Sequence, residues 1–157
     1  MQLYFLRHGL ADWPDWDAAQ DHLRPLTKEG LKKMKAEAKT LARLGLKFDV
    51  ILSSPYTRAL QTADIVAGQF GQEVIEEAHL APGFNLERLQ AIVTRYPTAQ
   101  ALLLVGHEPT FSATITALIG GGRITLKKGA VARVEITSFE PLSGDLLWLL
   151  QPKTLIG

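Results

Sequence analysis

Near the start of the chain, Leu3-Tyr4-Phe5-Leu6-Arg7-His8-Gly9 passes from apolar to polar residues within seven positions. Its apolar part is short and has no helical period, which is typical of a strand that is buried on both faces. Arg7 and His8 follow directly, so we predict that this strand delivers two basic side chains at its carboxyl end.

Two later stretches repeat this pattern. Val50-Ile51-Leu52 leads into Ser53-Ser54-Pro55, and Leu102 to Val105 leads into Gly106-His107-Glu108-Pro109. Arg58 falls in the first turn of the helix predicted after the second strand. In open α/β sheets ligands bind outside the carboxyl ends of the strands, where such loops meet. One edge of the sheet is therefore predicted to collect six polar side chains, namely Arg7, His8, Ser53, Ser54, Arg58 and His107.

Amphipathic helices are predicted between the strands. Two begin at the capping residues Thr27 and Asn85, one follows Pro55, and one runs from about Thr110 to Ile119. Further strands are predicted at Val74-Ile75, Val131 to Ile136 and Leu146 to Leu150, the last two as an antiparallel pair. This order predicts an α/β fold of three layers, α/β/α, whose sheet is mostly parallel with an antiparallel edge. We expect residues 1–157 to form one domain.

Composition excludes several classes of function. Lys and Arg number 17 against 16 Asp and Glu, and a net charge of +1 gives no broad attraction to nucleic acid or to an anionic membrane. The chain has no cysteine, which excludes disulfides, thiolate zinc sites and cysteine nucleophiles. It shows no signal-peptide core and no apolar run of about 20 residues, so we expect a cytoplasmic location. The four histidines are not at zinc-like spacing, and we expect no metal and no cofactor.

Two arginines and two histidines at one edge of a sheet would form a compact cationic pocket. The matching ligand is a small anion with several charges, above all a phosphoryl group. No glycine-rich phosphate loop of the Gly-Lys-Ser/Thr kind is present. Histidine can accept a phosphoryl group covalently, so the pocket is predicted to carry its own nucleophile.

Three blocks of the sequence resemble the signature of the histidine phosphatase superfamily, whose fold is that of phosphoglycerate mutase. The blocks are Leu6-Arg7-His8-Gly9, the run from Ser53 to Ala63, and Val105-Gly106-His107-Glu108-Pro109. They occur in the family's order, and Leu26-Thr27-Lys28-Glu29-Gly30 resembles the start of a helix in that family. Arg24-Pro25-Leu26-Thr27 and Leu80-Ala81-Pro82-Gly83 resemble the SixA branch, which consists of phosphohistidine phosphatases.

The resemblance implies a role for each matching residue. His8 would be the nucleophile that becomes phosphorylated, and Arg7, Arg58 and His107 would bind the phosphoryl oxygens. Water would then release phosphate from the phosphorylated His8, with no metal or cofactor. Flanking cations would favour the neutral, nucleophilic form of His8.

The chain departs from the family pattern at two places. Leu10, Ala11 and Asp12 follow the Arg-His-Gly block, where many members that act on sugar phosphates have a Glu and an Asn. Ser54 is a candidate replacement for that phosphate contact. The acid that protonates the leaving group is usually a carboxylate before a glycine. The candidates here are His79, which falls where the family more often has a Glu, and the nearby Glu76 and Glu77.

These features predict a phosphatase that removes phosphate from phosphohistidine on a protein, such as a signalling phosphotransfer domain. A phosphorylated imidazole is a better leaving group than an alkoxide, so a weak acid would suffice. One alternative is a small-molecule phosphomonoesterase that acts on a sugar phosphate or a similar metabolite. Another is a module that binds phosphate or a phosphoprotein without turnover. The loop tryptophans Trp13 and Trp16 and the basic residues Arg123, Lys127 and Lys128 receive no role.

Overall fold

The computed structural model describes residues 1–157 and is built on one six-stranded sheet. Its strands are β1 (Gln2–Arg7), β2 (Val50–Ser53), β3 (Val74–Glu76), β4 (Ala101–Gly106), β5 (Val131–Phe139) and β6 (Leu142–Leu150). They lie in the order β3-β2-β4-β1-β5-β6. The first four strands in that order are parallel, while β5 is antiparallel to both β1 and β6. The predicted sheet, mostly parallel with an antiparallel edge, is confirmed.

Five helices cover this sheet: α1 (Lys28–Arg43), α2 (Thr57–Phe70), α3 (Leu86–Thr94), α4 (Thr110–Ile119) and α5 (Pro152–Ile156). Side chains of β1 alternate between two cores, as the period of a strand requires. Leu3 and Phe5 pack with residues of α3 and α4, while Tyr4 and Leu6 pack with residues of α1 and α2. The sheet therefore lies between two helical layers, and the predicted three-layer architecture is confirmed.

Helix ends follow from local chemistry. The Thr27 side chain accepts a hydrogen bond from the Gly30 amide at the start of α1, and Asn85 accepts one from the Arg88 amide at the start of α3. Both predicted caps are confirmed. At the far end of α2, Gly71 adopts a left-handed conformation with φ of 65°, which a residue without a side chain takes up at little cost. None of the helices combines the length and apolar character that a membrane span requires.

The sequence patterns missed the 3-10 segment Ala78–Leu80 and two further short helical segments. One is the 3-10 segment Ala18–Leu23, which has no buried residue and therefore no apolar period to reveal it. The other is α5, which consists of five residues after the last strand. The two closing strands are also longer than predicted and meet in a tight connection at Glu140 and Pro141.

Strand register brings the polar loops to one edge. Arg7 is paired with Gly106 across β1 and β4, and Ser53 is paired with Val105 across β2 and β4. Because these three strands are parallel and adjacent, their carboxyl ends lie side by side. The residues that follow them share a single rim of the sheet.

Candidate active site

The rim of the sheet brings Arg7, His8, Ser54, Arg58 and His107 into one buried cluster. The Arg58 Nε lies 3.3 Å from the His8 Nε2. The rings of His8 and His107 have their centroids 5.4 Å apart, and the His107 Nε2 lies 2.7 Å from the Ser54 Oγ. Four of the five side chains are buried, and Arg7 is half-buried.

The hydrogen bonds of His8 define its reactive atom. Its Nδ1 lies 2.8 Å from the backbone oxygen of Gly9. A carbonyl oxygen can only accept, so Nδ1 carries the hydrogen and donates. In the neutral imidazole the lone pair then sits on Nε2, which is the atom that faces Arg58.

Both histidines are held in the neutral form. Burial lowers the pKa of His8 well below its usual range, and the charges of His107, Arg58 and Arg7 lower it further, against a hydrogen bond to Gly9 that raises it. Burial, with the charge of Arg58, lowers the pKa of His107 to about 4. A neutral imidazole is the nucleophilic form, so the cluster keeps the His8 ring in a form that can act as a nucleophile at neutral pH.

Each arginine is fixed by a partner outside the cluster. One terminal nitrogen of Arg7 donates to the backbone oxygen of Leu126 at 2.8 Å, while its buried Nε has no hydrogen-bond partner. Arg58 donates to the backbone oxygen of Asp21 at 2.8 Å and to the Asp21 carboxylate at 3.1 Å. These contacts hold both guanidinium groups in place before any ligand binds.

Asp21 is a site residue that the sequence did not reveal. Its carboxylate also accepts from Arg24 Nε at 3.0 Å, and Arg24 in turn donates to the backbone oxygen of Ala11. Burial opposes ionisation of Asp21, but the hydrogen bond from Arg24 and the charge of Arg58 outweigh it and lower its pKa. Asp21 lies in the 3-10 segment that lacks a periodic pattern, so only its proximity to Arg24 in the sequence could have drawn attention to it.

Thr62 and Tyr56 complete the surroundings of the cluster, and the sequence assigned neither of them a role. The Thr62 hydroxyl accepts from the Gly9 amide at 3.1 Å and donates to the Arg58 backbone oxygen at 2.7 Å. This joins the loop after His8 to the first turns of α2. The Tyr56 ring packs against the His107 ring with centroids 5.1 Å apart, and the Arg58 guanidinium lies 5.1 Å from the centre of the same ring.

The three candidates for the acid behave differently. Glu77 is buried, and its carboxylate accepts from the His79 amide, from the His79 Nδ1 at 2.8 Å and from Arg95. Burial opposes ionisation, but these hydrogen bonds outweigh it and lower the pKa of Glu77. Its amide donates to the backbone oxygen of Ser53 at 2.7 Å, which places it beside the end of β2. Glu76 is exposed at the end of β3, and its carboxylate makes no hydrogen bond or ion pair.

The loop tryptophans lie on the segment that holds Arg58. Trp13 donates from its indole nitrogen to the backbone oxygen of Pro25 at 2.8 Å, and Trp16 donates to that of Gln20 at 2.9 Å. Together with Asp21 and Arg24 they line a cavity of about 400 Å³.

The arrangement can bind and transfer a phosphoryl group. The Arg58 guanidinium and the two imidazoles are buried together, and the charge of Arg7 acts on both histidines. The buried Arg7 Nε and His107 Nδ1 lack partners. Phosphoryl oxygens are strong acceptors that would satisfy such donors. No group of three or more His, Asp or Glu side chains converges as a metal-binding cluster.

Comparison with known proteins gives a consistent result. The family model of the histidine phosphatase superfamily (branch 1) matches residues 3–81, which include Arg7, His8 and Arg58. An uncharacterised protein of Picosynechococcus sp. is 37% identical over 99% of both chains. The structure of the protein histidine phosphatase SixA complexed with tungstate superposes with a TM-score of 0.86 at 25% identity, over 99% of both chains.

Relatives of lower identity share the fold and differ in substrate. A mycobacterial glucosyl-3-phosphoglycerate phosphatase superposes with a TM-score of 0.73 at 18% identity, over 92% of this chain and 96% of that chain. The predicted phosphoglycerate mutase-like fold is therefore confirmed. With the family signature, the full-length relative and the fold in agreement, the chain belongs to the histidine phosphatase superfamily.

Proposed function

We propose that this protein hydrolyses phosphohistidine on a partner protein, through a covalent intermediate on His8 and without a metal or cofactor. One observation carries the proposal: the His8 Nε2, which holds the lone pair of a neutral ring, faces the Arg58 guanidinium at 3.3 Å inside a buried cationic cluster. We place the activity in the cytoplasm, as the sequence predicts.

The first step transfers the phosphoryl group to His8. The His8 Nε2 attacks the phosphorus atom and forms a new P–N bond, while the P–N bond of the substrate breaks. The substrate's imidazole carries a proton on its other ring nitrogen and therefore leaves as the neutral ring. Arg7, Arg58 and His107 would donate hydrogen bonds to the phosphoryl oxygens, where charge accumulates in the transition state. Asp21 keeps Arg58 oriented for this role.

The second step returns the enzyme to its starting state. Water attacks the phosphorus atom, the P–N bond to His8 breaks, and inorganic phosphate leaves. Nδ1 keeps its hydrogen and donates it in the hydrogen bond to the Gly9 oxygen during both steps. Phosphorylated His8 is therefore a cationic imidazolium, which is a good leaving group for the attack of water.

The environment of Glu77 supports phosphohistidine as the substrate. Its carboxylate is engaged by His79 and Arg95, and its lowered pKa keeps it ionised, so it has no proton to give to an alkoxide leaving group. An imidazole leaving group needs less help from an acid. The similarity to a structure described as the protein histidine phosphatase SixA supports the same substrate.

A second candidate function is hydrolysis of a small phosphate ester. The hydrogen bond of 2.8 Å between the His79 Nδ1 and the Glu77 carboxylate favours it, because a carboxylate can hold a protonated imidazole in place as a proton donor. His79 is partly exposed and can meet a ligand. Members of the same fold act on small phosphates, as the mycobacterial glucosyl-3-phosphoglycerate phosphatase does.

The deciding experiment follows release of inorganic phosphate from a histidine-phosphorylated protein and from a panel of phosphomonoesters. The wild type is compared with His8→Ala, with His79→Gln and with Lys47→Ala, which alters an exposed residue at the opposite end of β2 from the cluster. We expect release from phosphohistidine to be abolished in His8→Ala and unchanged in both other variants. The same rate in EDTA would support the absence of a metal.

Other results would change the assignment. Faster turnover of one monoester, with loss of that activity in His79→Gln, would identify a small-molecule phosphatase with His79 as its acid. Binding of phosphate without turnover in the wild type would identify a module that binds phosphate and does not hydrolyse it.

A further inference from the structure

One face of α1 carries a line of positive charge that the proposed chemistry does not use. Its five side chains, which we call the α1 basic stripe, are Lys28, Lys32, Lys35, Lys39 and Arg43, and all are exposed. At 3.6 residues per turn they fall within an arc of about 80°. The opposite face of the helix bears the core residues Met34, Ala38 and Leu41.

The stripe is not neutralised within the chain. None of its five members belongs to an ion pair. The two acidic residues of α1 do not neutralise the charge of the stripe, because Glu29 pairs with Lys33 and Glu37 is buried. The whole chain has a net charge of only +1, so the residues outside the stripe are net negative. Like charges three or four residues apart destabilise a helix, and an acidic partner would relieve that repulsion.

The stripe begins at the rim of the candidate active site. The Thr27 amide donates to the Leu10 backbone oxygen at 2.9 Å, and Gly30 packs directly against the same oxygen. Leu10 belongs to the loop that follows His8. The stripe therefore starts beside that loop and extends away from it for about 22 Å, which is the length of four helical turns.

We infer that the α1 basic stripe is the docking surface for the phosphohistidine-bearing protein, and that the partner presents an acidic helix face next to its phosphohistidine. This inference rests on the proposed function. Charge complementarity selects an acidic partner, and the length of the stripe matches a helix laid along it. The face that carries the stripe has no aromatic residue, and its one large apolar side chain, Leu31, is half-buried, which favours a protein over a lipid surface.

The test compares two substrates that both carry phosphohistidine, of which only one has a protein surface beside it. One is a phosphotransfer domain with an acidic helix beside its phosphohistidine, phosphorylated with phosphoramidate. The other is the free amino acid phosphohistidine. The double variant Lys32→Glu, Lys35→Glu is compared with Lys47→Glu, Arg123→Glu, which reverses two exposed charges elsewhere and changes the net charge equally. Circular dichroism melting verifies that each variant is folded.

We expect the stripe variant to raise KM for the phosphorylated domain at least about tenfold and to leave kcat/KM for free phosphohistidine within about twofold. An equal rise in KM in both double variants would overturn the inference, because bulk charge would then be the cause. An unchanged KM in the stripe variant would overturn it as well.

A binding measurement separates this inference from the proposed function. The phosphorylated domain is titrated against His8→Ala, alone and combined with the two stripe substitutions. A dissociation constant that rises at least about tenfold in the combined variant supports docking even if the wild type releases no phosphate. A stripe variant that loses affinity for RNA, or for vesicles of phosphatidylglycerol and phosphatidylcholine, while its affinity for the domain is unchanged would overturn the inference.

Discussion

Arg58 and His8 are 50 residues apart in the chain, and the Arg58 Nε lies 3.3 Å from the His8 Nε2. The same guanidinium uses its terminal nitrogens to bind the backbone oxygen and the carboxylate of Asp21. Arg58 therefore presents its Nε edge to the His8 Nε2 while Asp21 holds its other edge. This geometry divides the work between a residue that would contact phosphate and a residue that positions it.

Replacing Asp21 with Asn is expected to lower kcat about tenfold without raising KM. The carboxylate that orients Arg58 is lost, but removal of a negative charge near the pocket favours binding of an anion. Steady-state kinetics with a phosphohistidine substrate measure both constants. Asp15→Asn is the control, because Asp15 is exposed in the same loop and makes no side-chain contact with the cluster. A large rise in KM with unchanged kcat would contradict the positioning role.

His107 is expected to make the folded protein less stable as pH falls from about 6.5 to about 4. Burial and the charge of Arg58 lower its pKa to about 4, so in this window the unfolded chain takes up a proton that the folded state refuses. The free energy of unfolding falls by about 3 kcal/mol in total. The fall is complete below pH 4, where His107 is protonated in both the folded and the unfolded state. Urea unfolding of wild type and His107→Gln at several pH values measures it. In His107→Gln the free energy of unfolding should change less steeply with pH than in the wild type, and in His22→Gln it should change as in the wild type.

Glu37 is expected to make the folded protein less stable as pH rises, which is the opposite pH dependence to that of His107. Burial raises its pKa to about 8, against the charge of Lys33, and its Oε2 has no hydrogen-bond partner. Between about 4.5 and 8 the folded state keeps a proton that the unfolded chain has released, so stability falls as pH rises. Glu37→Met should therefore be about 3 kcal/mol more stable than the wild type at pH 7, with a gain that shrinks toward pH 4.5. Glu29→Met, an exposed position on the same helix, should show no such pH-dependent gain.

Two glycine-to-alanine substitutions are expected to have opposite effects on the stability of the fold. A Cβ at Gly30 would lie 2.2 Å from the Leu10 backbone oxygen, so Gly30→Ala must displace the loop after His8. We expect a loss of about 2 kcal/mol in stability together with reduced phosphatase activity. Gly68, in the exposed part of α2, has no atom within 4 Å of such a Cβ, and Gly68→Ala should stabilise by about 0.5 to 1 kcal/mol. Equal effects of both substitutions would contradict this account.

The parts of the fold that follow from local pattern could be predicted from the sequence. The buried run of β1 and the caps at Thr27 and Asn85 depend on residues within a few positions of one another. The convergence of Arg7, His8, Arg58 and His107 follows from strand direction, because parallel strands end at the same edge.

The parts that depend on distant or irregular contacts could not be predicted. Asp21 reaches Arg58 from a segment without buried residues, and the Leu126 oxygen that anchors Arg7 lies 119 residues away in the sequence. The hydrogen bonds that lower the pKa of Glu77 come in part from Arg95, beyond the end of α3. Sequence spacing alone does not show that such groups meet.

The position of β1 between β4 and β5 has a consequence for synthesis of the protein. The strand that carries His8 is synthesised before both of its neighbours in the sheet and before Leu126, whose backbone oxygen binds Arg7. Until those neighbours are made, the nascent chain carries an apolar strand with two unpaired edges. Such edges bind chaperones and promote aggregation. A fragment that ended after residue 81 would retain the residues that the family model matches and would lack β4, β5 and His107.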